Sequence, residues 1–557
     1  MKHISLLAAA IGAALISGCN SDTKEVVKEV EVIKEVAPEE VTSVKNVILM
    51  IGDGMGPQQV GLLEDYARRA PQSTYNSKGN KTAISKLGDA GQVGLSLNAP
   101  WGNEGSLVVD SACSATQLAT GMASGSEMIG LDNQGNKVAT ILERAKAKGK
   151  ATGLVSDTRL THATPAAFAA HQPHRSYESA IAAEMIDASV VDVMLSGGAR
   201  EFIPSDAASN ETVKTSLTAM GAPASIVKKS KRKDSRNLLA EAKDNHGYQL
   251  AFNREQLNAA DGERLLGLFA NSGMMDAIAY DACAKTDSCT EPSLREMTLK
   301  ALDILSKDED GFFLMVEGGQ IDWAGHINDA GWMLHELLRF DEAVDAVYEW
   351  VKDRDDTLVI VTADHETGSF GLSYSRKDLP EAQSLPGDGM QGADYKPAFN
   401  FGSLNKLDRL YAQTGTFYNM MDMVSADWTF DGTTGDDWAA AINHYSDFKV
   451  TAEQAAPVAL REPNEYWVDG HSYLSATVFP KVNDFKEFYV YADEVHANLI
   501  GRALAADQNV VWGTGTHTAA PVPVFAFGPY GVTKQFSTLQ HHVELGQKMA
   551  KALLGEE

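Results

Sequence analysis

Short apolar runs that stop at acids, histidines or glycines set the rhythm of this chain. Segments 47–51, 151–156, 191–195, 312–316, 358–362 and 522–527 are dominated by Val, Ile, Leu, Met, Ala and Phe. Apolarity sustained over five or six residues is what a strand buried on both faces requires. Between these runs, 140–148, 293–305 and 334–352 space their apolar residues three and four apart, as a helix with one buried side does. The alternation predicts a doubly wound α/β fold, a largely parallel central sheet flanked by helices.

The residues that follow the runs turn the pattern from architecture to chemistry. The first run ends in Gly52-Asp53-Gly54-Met55-Gly56. The fourth leads into Glu317-Gly318-Gly319-Gln320-Ile321-Asp322-Trp323-Ala324-Gly325-His326, and the fifth into Ala363-Asp364-His365. A later turn, Gly513-Thr514-Gly515-Thr516-His517-Thr518, precedes the last run. Open α/β sheets carry their sites at the carboxyl ends of their strands. Asp322 and His326, four apart, share one face if helical, and an Asp-His pair at the end of a buried strand needs a partner. Carboxylates with imidazoles are a mixed oxygen and nitrogen set that suits zinc. Elsewhere, Val109-Asp110-Ser111-Ala112-Cys113-Ser114 puts a serine in a small-residue turn at the head of a helix. A serine hydroxyl needs an adjacent base or a metal to become a nucleophile. No G-x-S-x-G frame surrounds Ser111, so the metal route leads.

Taken together and in this order, Asp110-Ser111-Ala112, the Glu317 to His326 segment, Thr362-Ala363-Asp364-His365 and Gly515-Thr516-His517-Thr518 resemble the site motifs of the alkaline phosphatase family. The resemblance runs from about Val44 to the C-terminus apart from one long insertion. It implies phosphate monoester hydrolysis, with Ser111 as the nucleophile that forms a phosphoserine. It also implies two zinc ions, one held by Asp322, His326 and His517, the other by Asp53, Asp364 and His365. A magnesium would be held by Asp53, Thr164 and Glu317. The family's phosphate-binding arginine lies eleven residues beyond the magnesium-ligand threonine, which indicates Arg175. A phosphodiesterase of the same superfamily is the second reading, and a non-catalytic lipoprotein that binds metal or phosphate the third.

Two positions depart from the best-known bacterial pattern. His162 stands where some bacterial members carry an aspartate, and Trp323 where they carry a lysine; both resemble a subset of marine bacterial enzymes. Loss of that lysine is expected to loosen phosphate. An imidazole beside the third site leaves it open to zinc as well as magnesium. Cys113 lacks the C-x-P-x-R frame of the sulfatases, since Ala115 and Gln117 fill the later positions. It reads as a small buried thiol.

Composition bounds the remaining questions. The chain has 557 residues, 44% of them hydrophobic and 22% charged, as in a folded globular protein. A net charge of −27 argues against nucleic-acid or anionic-membrane partners. Lys2 and the apolar run 4–16 are shaped like a signal peptide, too short for the roughly 20 residues of a spanning helix. Ile16-Ser17-Gly18-Cys19 resembles a lipobox. Residues 1–19 are therefore expected to direct export, with Cys19 lipidated and Asn20 favouring the outer membrane over the inner, facing the periplasm. Residues 20–43, rich in Lys, Glu and Val, read as a tether. The catalytic core is expected over 44–373 and 498–557. Between them, 374–497 is a crown-like insertion that shapes the entrance or a homodimer contact, with His471 reaching for the entrance or lying in a plain turn. Cys283 and Cys289 close a short loop and can pair in an oxidising compartment.

Overall fold

The computed structural model describes residues 42–102 and 105–555. The signal-peptide, lipobox and Cys19 readings, and nearly all of the tether, lie outside the described residues. Ten strands form one sheet: β1 (Asn46–Gly52), β2 (Gln92–Leu97), β3 (Ala151–Arg159), β4 (Val193–Gly197), β5 (Gln249–Ala251), β6 (Leu265–Leu268), β7 (Phe312–Gly318), β8 (Thr357–Thr362), β9 (Val522–Phe527) and β10 (Leu539–His541). Their order is β10-β2-β9-β8-β1-β7-β3-β4-β6-β5. All pairs are parallel except those of β9, which runs antiparallel to β2 and β8. The doubly wound, largely parallel α/β sheet expected from the apolar runs is present.

Period-two alternation distributes the side chains of the central strands between two cores. Ile48, Met50, Leu314, Val316, Val359 and Val361 face one side, with the helices Leu294–Leu305 and Ala330–Val351. Val47, Leu49, Ile51, Phe313, Met315, Leu358 and Ile360 face the other, with Ser111–Thr120 and His542–Leu554. Each fully buried aliphatic side chain contributes about 1.5–3 kcal/mol, which is why the three middle strands tolerate so few polar positions. The 191–195 run forms its strand two residues later than expected, at β4, because Asp192 turns away to pair with Lys146 and the Thr152 backbone. Strands β2, β5, β6 and β10 were not expected. β2 lies toward the sheet edge and alternates between buried and exposed positions, and the other three are only three or four residues long.

The stretch 374–497, read from the sequence as an insertion, carries the helices Asn405–Tyr411, Phe417–Val424 and Gly435–Tyr445 and a small hairpin, Arg461–Pro463 with Val478–Pro480. Its buried Phe417, Trp438 and Ile442 belong to the same hydrophobic cluster as the face of the Ala330–Val351 helix. Cys283 and Cys289 form a disulfide, and Cys113 is a buried thiol.

Sheet register sets up the site. Ile51 pairs with both Glu317 and Thr362, and Ser156 also pairs with Glu317. One row across β3, β7, β1 and β8 thus ends at the same level. Buried Asn46 ties the opposite ends of these strands, donating to Thr357 Oγ1 at 2.9 Å and accepting from the Phe312 N–H at 3.2 Å. Asn46→Ala would strand both partners in the core. We expect a loss of about 1–3 kcal/mol, read as a lower urea midpoint with an unchanged slope.

Candidate active site

Side chains from the ends of the aligned strands and from the turn before β9 gather at an open cleft of about 1040 Å³ lined by Ser111, Asp322, His326 and His517. Asp53 leaves β1 in a turn where Gly54 has φ +74, and a Cβ there would meet Asp322 Cα at 2.8 Å. Glycine is required by both the dihedral and the close approach. Glu317 lies on β7 itself, and Asp322 and His326 sit on the short helix Gln320–His326 that follows. Asp364 and His365 come directly after β8. His517 is carried by a two-residue strand, His517–Thr518, paired with Glu366–Thr367.

Ser111 begins the Ser111–Thr120 helix. Asp110 is its N-cap and accepts from the Ala112 N–H at 3.0 Å. The Ser111 Oγ lies 3.1 Å from His365 Nε2. The second Asp110 oxygen accepts from the Glu127 N–H at 2.7 Å, and Arg175 Nη1 stands 3.5 Å from the first. Arg175 Nη2 is 3.2 Å from His162 Nε2. The guanidinium is therefore fixed at two corners beside the serine.

The presumptive ligands form three overlapping groups whose donor atoms lie within 4.8 Å of one another: Asp322 with His326 and His517, Asp53 with Asp322 and His365, and Asp53 with His162 and Glu317. Asp364 joins the second, its Oδ2 3.1 Å from His365 Nε2, while its Oδ1 accepts from the Gly54 and His365 backbones. The remaining imidazole nitrogens are pinned by carbonyls: His326 Nδ1 by Gly515 at 2.8 Å and His517 Nδ1 by Val109 at 2.9 Å. This outer support orients each Nε2 toward the cluster.

The donor set fits cations. Both Asp53 oxygens, Asp364 Oδ2, Glu317 Oε1 and Thr164 Oγ1 are buried without a hydrogen-bond partner. Burial, then the charges of Asp364, Asp322 and Glu317, push the Asp53 carboxyl far above the usual carboxylate range. Burial, with Asp364 adding to it, pushes Glu317 up to about 7 against the Ser156 hydrogen bond. Asp322 goes the other way: burial opposes its ionisation, but His326 and His517 outweigh it and hold the carboxyl low. Carboxylates crowded together without donors are stable only when a positive charge joins them. Thr164, Glu317 and Asp53 offer the all-oxygen set that magnesium takes, and His162 adds one nitrogen at that corner.

Of the site residues named from the sequence, Ser111, His162, Arg175, Asp322, His326 and His517 line this cleft, while Asp53, Thr164, Glu317, Asp364 and His365 are fully buried and cluster with them. Trp323 also lines it, packed over Gly273 and edge-on to His162 at 5.9 Å. His174 lines it and lies 3.0 Å from Glu127, whereas His171 is tucked between Glu184 and the Val138 carbonyl. His471 is at the entrance. Sequence reasoning missed the supporting residues. Thr367 donates to Asp322 Oδ1 at 2.5 Å. Ser156 and Thr158 both hold Glu317 Oε2. The carbonyl of Asp364 accepts from Ser114 and bonds His542. Thr367 lies just after the Asp364 motif and Ser114 inside the Ser111 segment, so both were within reach; nothing local marks the others. Tyr473, Tyr491 and Glu494, also on the cleft, come from the insertion.

The family model for alkaline phosphatase matches residues 44–554. Alkaline phosphatase 3 of Bacillus subtilis (strain 168) is 31% identical over 516 residues, covering 92% of this chain and 89% of that protein. Alkaline phosphatase 4 of the same organism is 37% identical over 336 residues, 59% of this chain, and that match spans 63% of its length, under two thirds. The crystal structure of Thermus thermophilus alkaline phosphatase superposes with a TM-score of 0.67 at 25% identity, covering 93% of this chain and 92% of that one. With the family match extending along nearly all the described residues, and Ser111 and Arg175 lining one cleft with Asp322, His326 and His517, the chain belongs to the alkaline phosphatase family of phosphoric monoester hydrolases.

Proposed function

We propose that the protein hydrolyses phosphate monoesters through a covalent phosphoserine on Ser111, using two zinc ions and one magnesium ion. The observation that carries this reading is the Ser111 hydroxyl beside a buried cluster of carboxylate oxygens that no protein donor satisfies. Asp322, His326 and His517 would hold one zinc, Asp53, Asp364 and His365 the other, and Asp53, Thr164 and Glu317 the magnesium. Bound there, the ions would supply Lewis acidity that lowers the pKa of the attacking hydroxyl or water and offsets charge on both oxygens of an in-line displacement. His162, which joins the third group, would leave that position open to zinc as well as magnesium.

The protein's own groups do the positioning. Ser111 stands in the first turn of a helix, so unpaired N–H groups and the positive end of the dipole face an incoming phosphoryl group. Arg175, held by Asp110 and His162, offers its planar fork to two phosphoryl oxygens. Trp323 adds no cationic contact, since indole has one neutral donor. The arginine beside the Asp110-Ser111-Ala112 frame favours a monoester over a diester. On sequence grounds we also propose export with a lipid anchor on Cys19 in the outer membrane, and on family resemblance a homodimer.

Ser111→Ala should abolish labelled phosphate trapped on the protein at acidic pH and lower kcat/KM on the order of 10³-fold or more. Zinc content and thermal midpoint should stay unchanged. Label on another residue would reject the assignment.

Chelation should lower the thermal midpoint as well as end turnover, because Asp53 and Glu317 would then be left buried without a positive partner beside Asp322 and Asp364. Zinc with magnesium should restore both. A midpoint indifferent to chelator would show that the carboxylates are satisfied without metal.

Trp323→Lys combined with His162→Asp should tighten inhibition by inorganic phosphate and raise magnesium preference. The two rings touch, so the changes should be non-additive. Equal phosphate inhibition constants for the parent, both single variants and the double variant would exclude control by either residue.

A further inference from the structure

The cleft is much larger than a phosphoryl group requires. About 1040 Å³ lies at the upper end of the range for small-molecule sites. Its outer wall is built from two stretches of the insertion, 470–474 and 490–494. One unbroken series of ring contacts joins that wall to the nucleophile. His365, next to Ser111 Oγ, stacks on His517 with centroids 3.6 Å apart, and His517 lies 5.0 Å from His326. His326 meets Tyr491 edge-on at 5.3 Å, and Tyr491 meets Tyr473 edge-on at 4.9 Å. His471 follows Tyr473 at 6.3 Å.

An in-line displacement expels its alcohol on the side of phosphorus away from Ser111 Oγ. Ser111, His326, Tyr491 and Tyr473 line the same cleft, so an alcohol leaving past His326 would meet the two tyrosines. Tyr491 is half-buried and fixed between His326 and Tyr473. Tyr473 is 48% exposed, so much of its ring remains available for contact. Asp493 and Glu494 occupy the same wall and disfavour a second anionic group on the alcohol. An uncharged planar ring is the chemistry that matches two tyrosine rings flanked by carboxylates.

We propose that Tyr491 and Tyr473 form a leaving-group subsite that selects monoesters of planar-ring alcohols, phenols and nucleosides, over those of small aliphatic alcohols. This rests on the monoesterase reading given above. Tyr473 is the residue to test, since it touches none of the metal-ligand candidates. Calorimetric binding of phenylphosphonate and methylphosphonate to the metal-loaded full chain reports the subsite without turnover. The wild type should prefer the phenyl compound, and Tyr473→Ala should cut that preference roughly 3- to 10-fold, the size of one aromatic contact. Tyr473→Phe should keep it. The ratio of kcat/KM for phenyl phosphate to that for glycerol 2-phosphate should fall in parallel. A matching fall for AMP would assign the ring to a nucleoside, and its absence to a phenol. An unchanged phenyl-to-methyl preference in Tyr473→Ala would overturn the subsite. Failure of the wild type to turn over any monoester would instead reject the monoesterase reading, with the binding preference still deciding the subsite.

Discussion

Asp53, Asp322, Asp364 and Glu317 meet in a buried space because parallel strands in register stop at the same level, and this crowding governs the rest of the site. Two unit charges 4 Å apart repel by about 4 kcal/mol at an effective dielectric near 20, and here the Asp53 oxygens have no donors to offset it. A protein that evolved only for stability would replace such a cluster with apolar side chains. Retaining it makes sense where a positive charge is to be gathered. The surrounding structure is arranged to that end. Thr367 steadies Asp322, Ser156 and Thr158 steady Glu317, and carbonyls lock the His326 and His517 rings. The stability of the core and the chemistry of the cleft therefore draw on the same residues, since Asn46 at one end of β1 and Asp53 just beyond the other are seven positions apart.

The central strands were legible because burial on both faces leaves a continuous apolar signature, as in Val47-Ile48-Leu49-Met50-Ile51. The edge strands were not, because Gln92–Leu97 alternates and could equally be a loop until β9 and β10 pair with it. The buried carboxylates and imidazoles of the cluster were legible for a related reason. An ionisable group straight after a buried strand has few structural excuses, and Asp53, Glu317 and Asp364-His365 all stand at such points. Arg175 is different. Nothing in Pro173-His174-Arg175 sets it apart from a solvated arginine, and only family spacing selected it; Asp110 and His162 give the physical reason, by holding its fork beside Ser111. The tyrosines of the insertion left no trace in the sequence, because they reach the cleft through irregular loops whose course depends on tertiary packing.

That insertion is more than a lid over the entrance. The Phe488 carbonyl accepts from the Gly515 N–H at 3.2 Å and from Thr514 Oγ1 at 3.0 Å, bracing the turn that carries His517. Tyr489 packs beneath Gly515. Asn498, on the helix that follows the insertion, donates to the His326 carbonyl at 2.6 Å. The segment that walls the cleft outside is thus continuous with the one that braces two imidazoles inside. Changes in the outer wall can reach the His326 and His517 geometry through a few hydrogen bonds, so on the proposed reading substrate range and metal retention would be coupled rather than adjustable apart.

Electrostatics places a further demand on these few groups. With a net charge of −27 the chain offers an anionic ester no long-range attraction, although screening at physiological salt confines that penalty to about 8 Å from the surface charges. Attraction must therefore begin inside the cleft. Arg175 lines the cleft with Ser111, and it is already shared with Asp110 and His162. A lysine at 323 would have added a second fixed positive charge, but indole stands there, turned edge-on toward His162. On the proposed reading, phosphate binding would rest on Arg175, the first turn of the Ser111–Thr120 helix and whatever charge the carboxylate cluster gathers, since Arg159, which also lines the cleft, is paired with both oxygens of Glu178. Because two of those three terms are local and neutral in sum with their own partners, the third dominates: affinity for substrate and product should follow occupancy of the carboxylate cluster more closely than any other property of the surface.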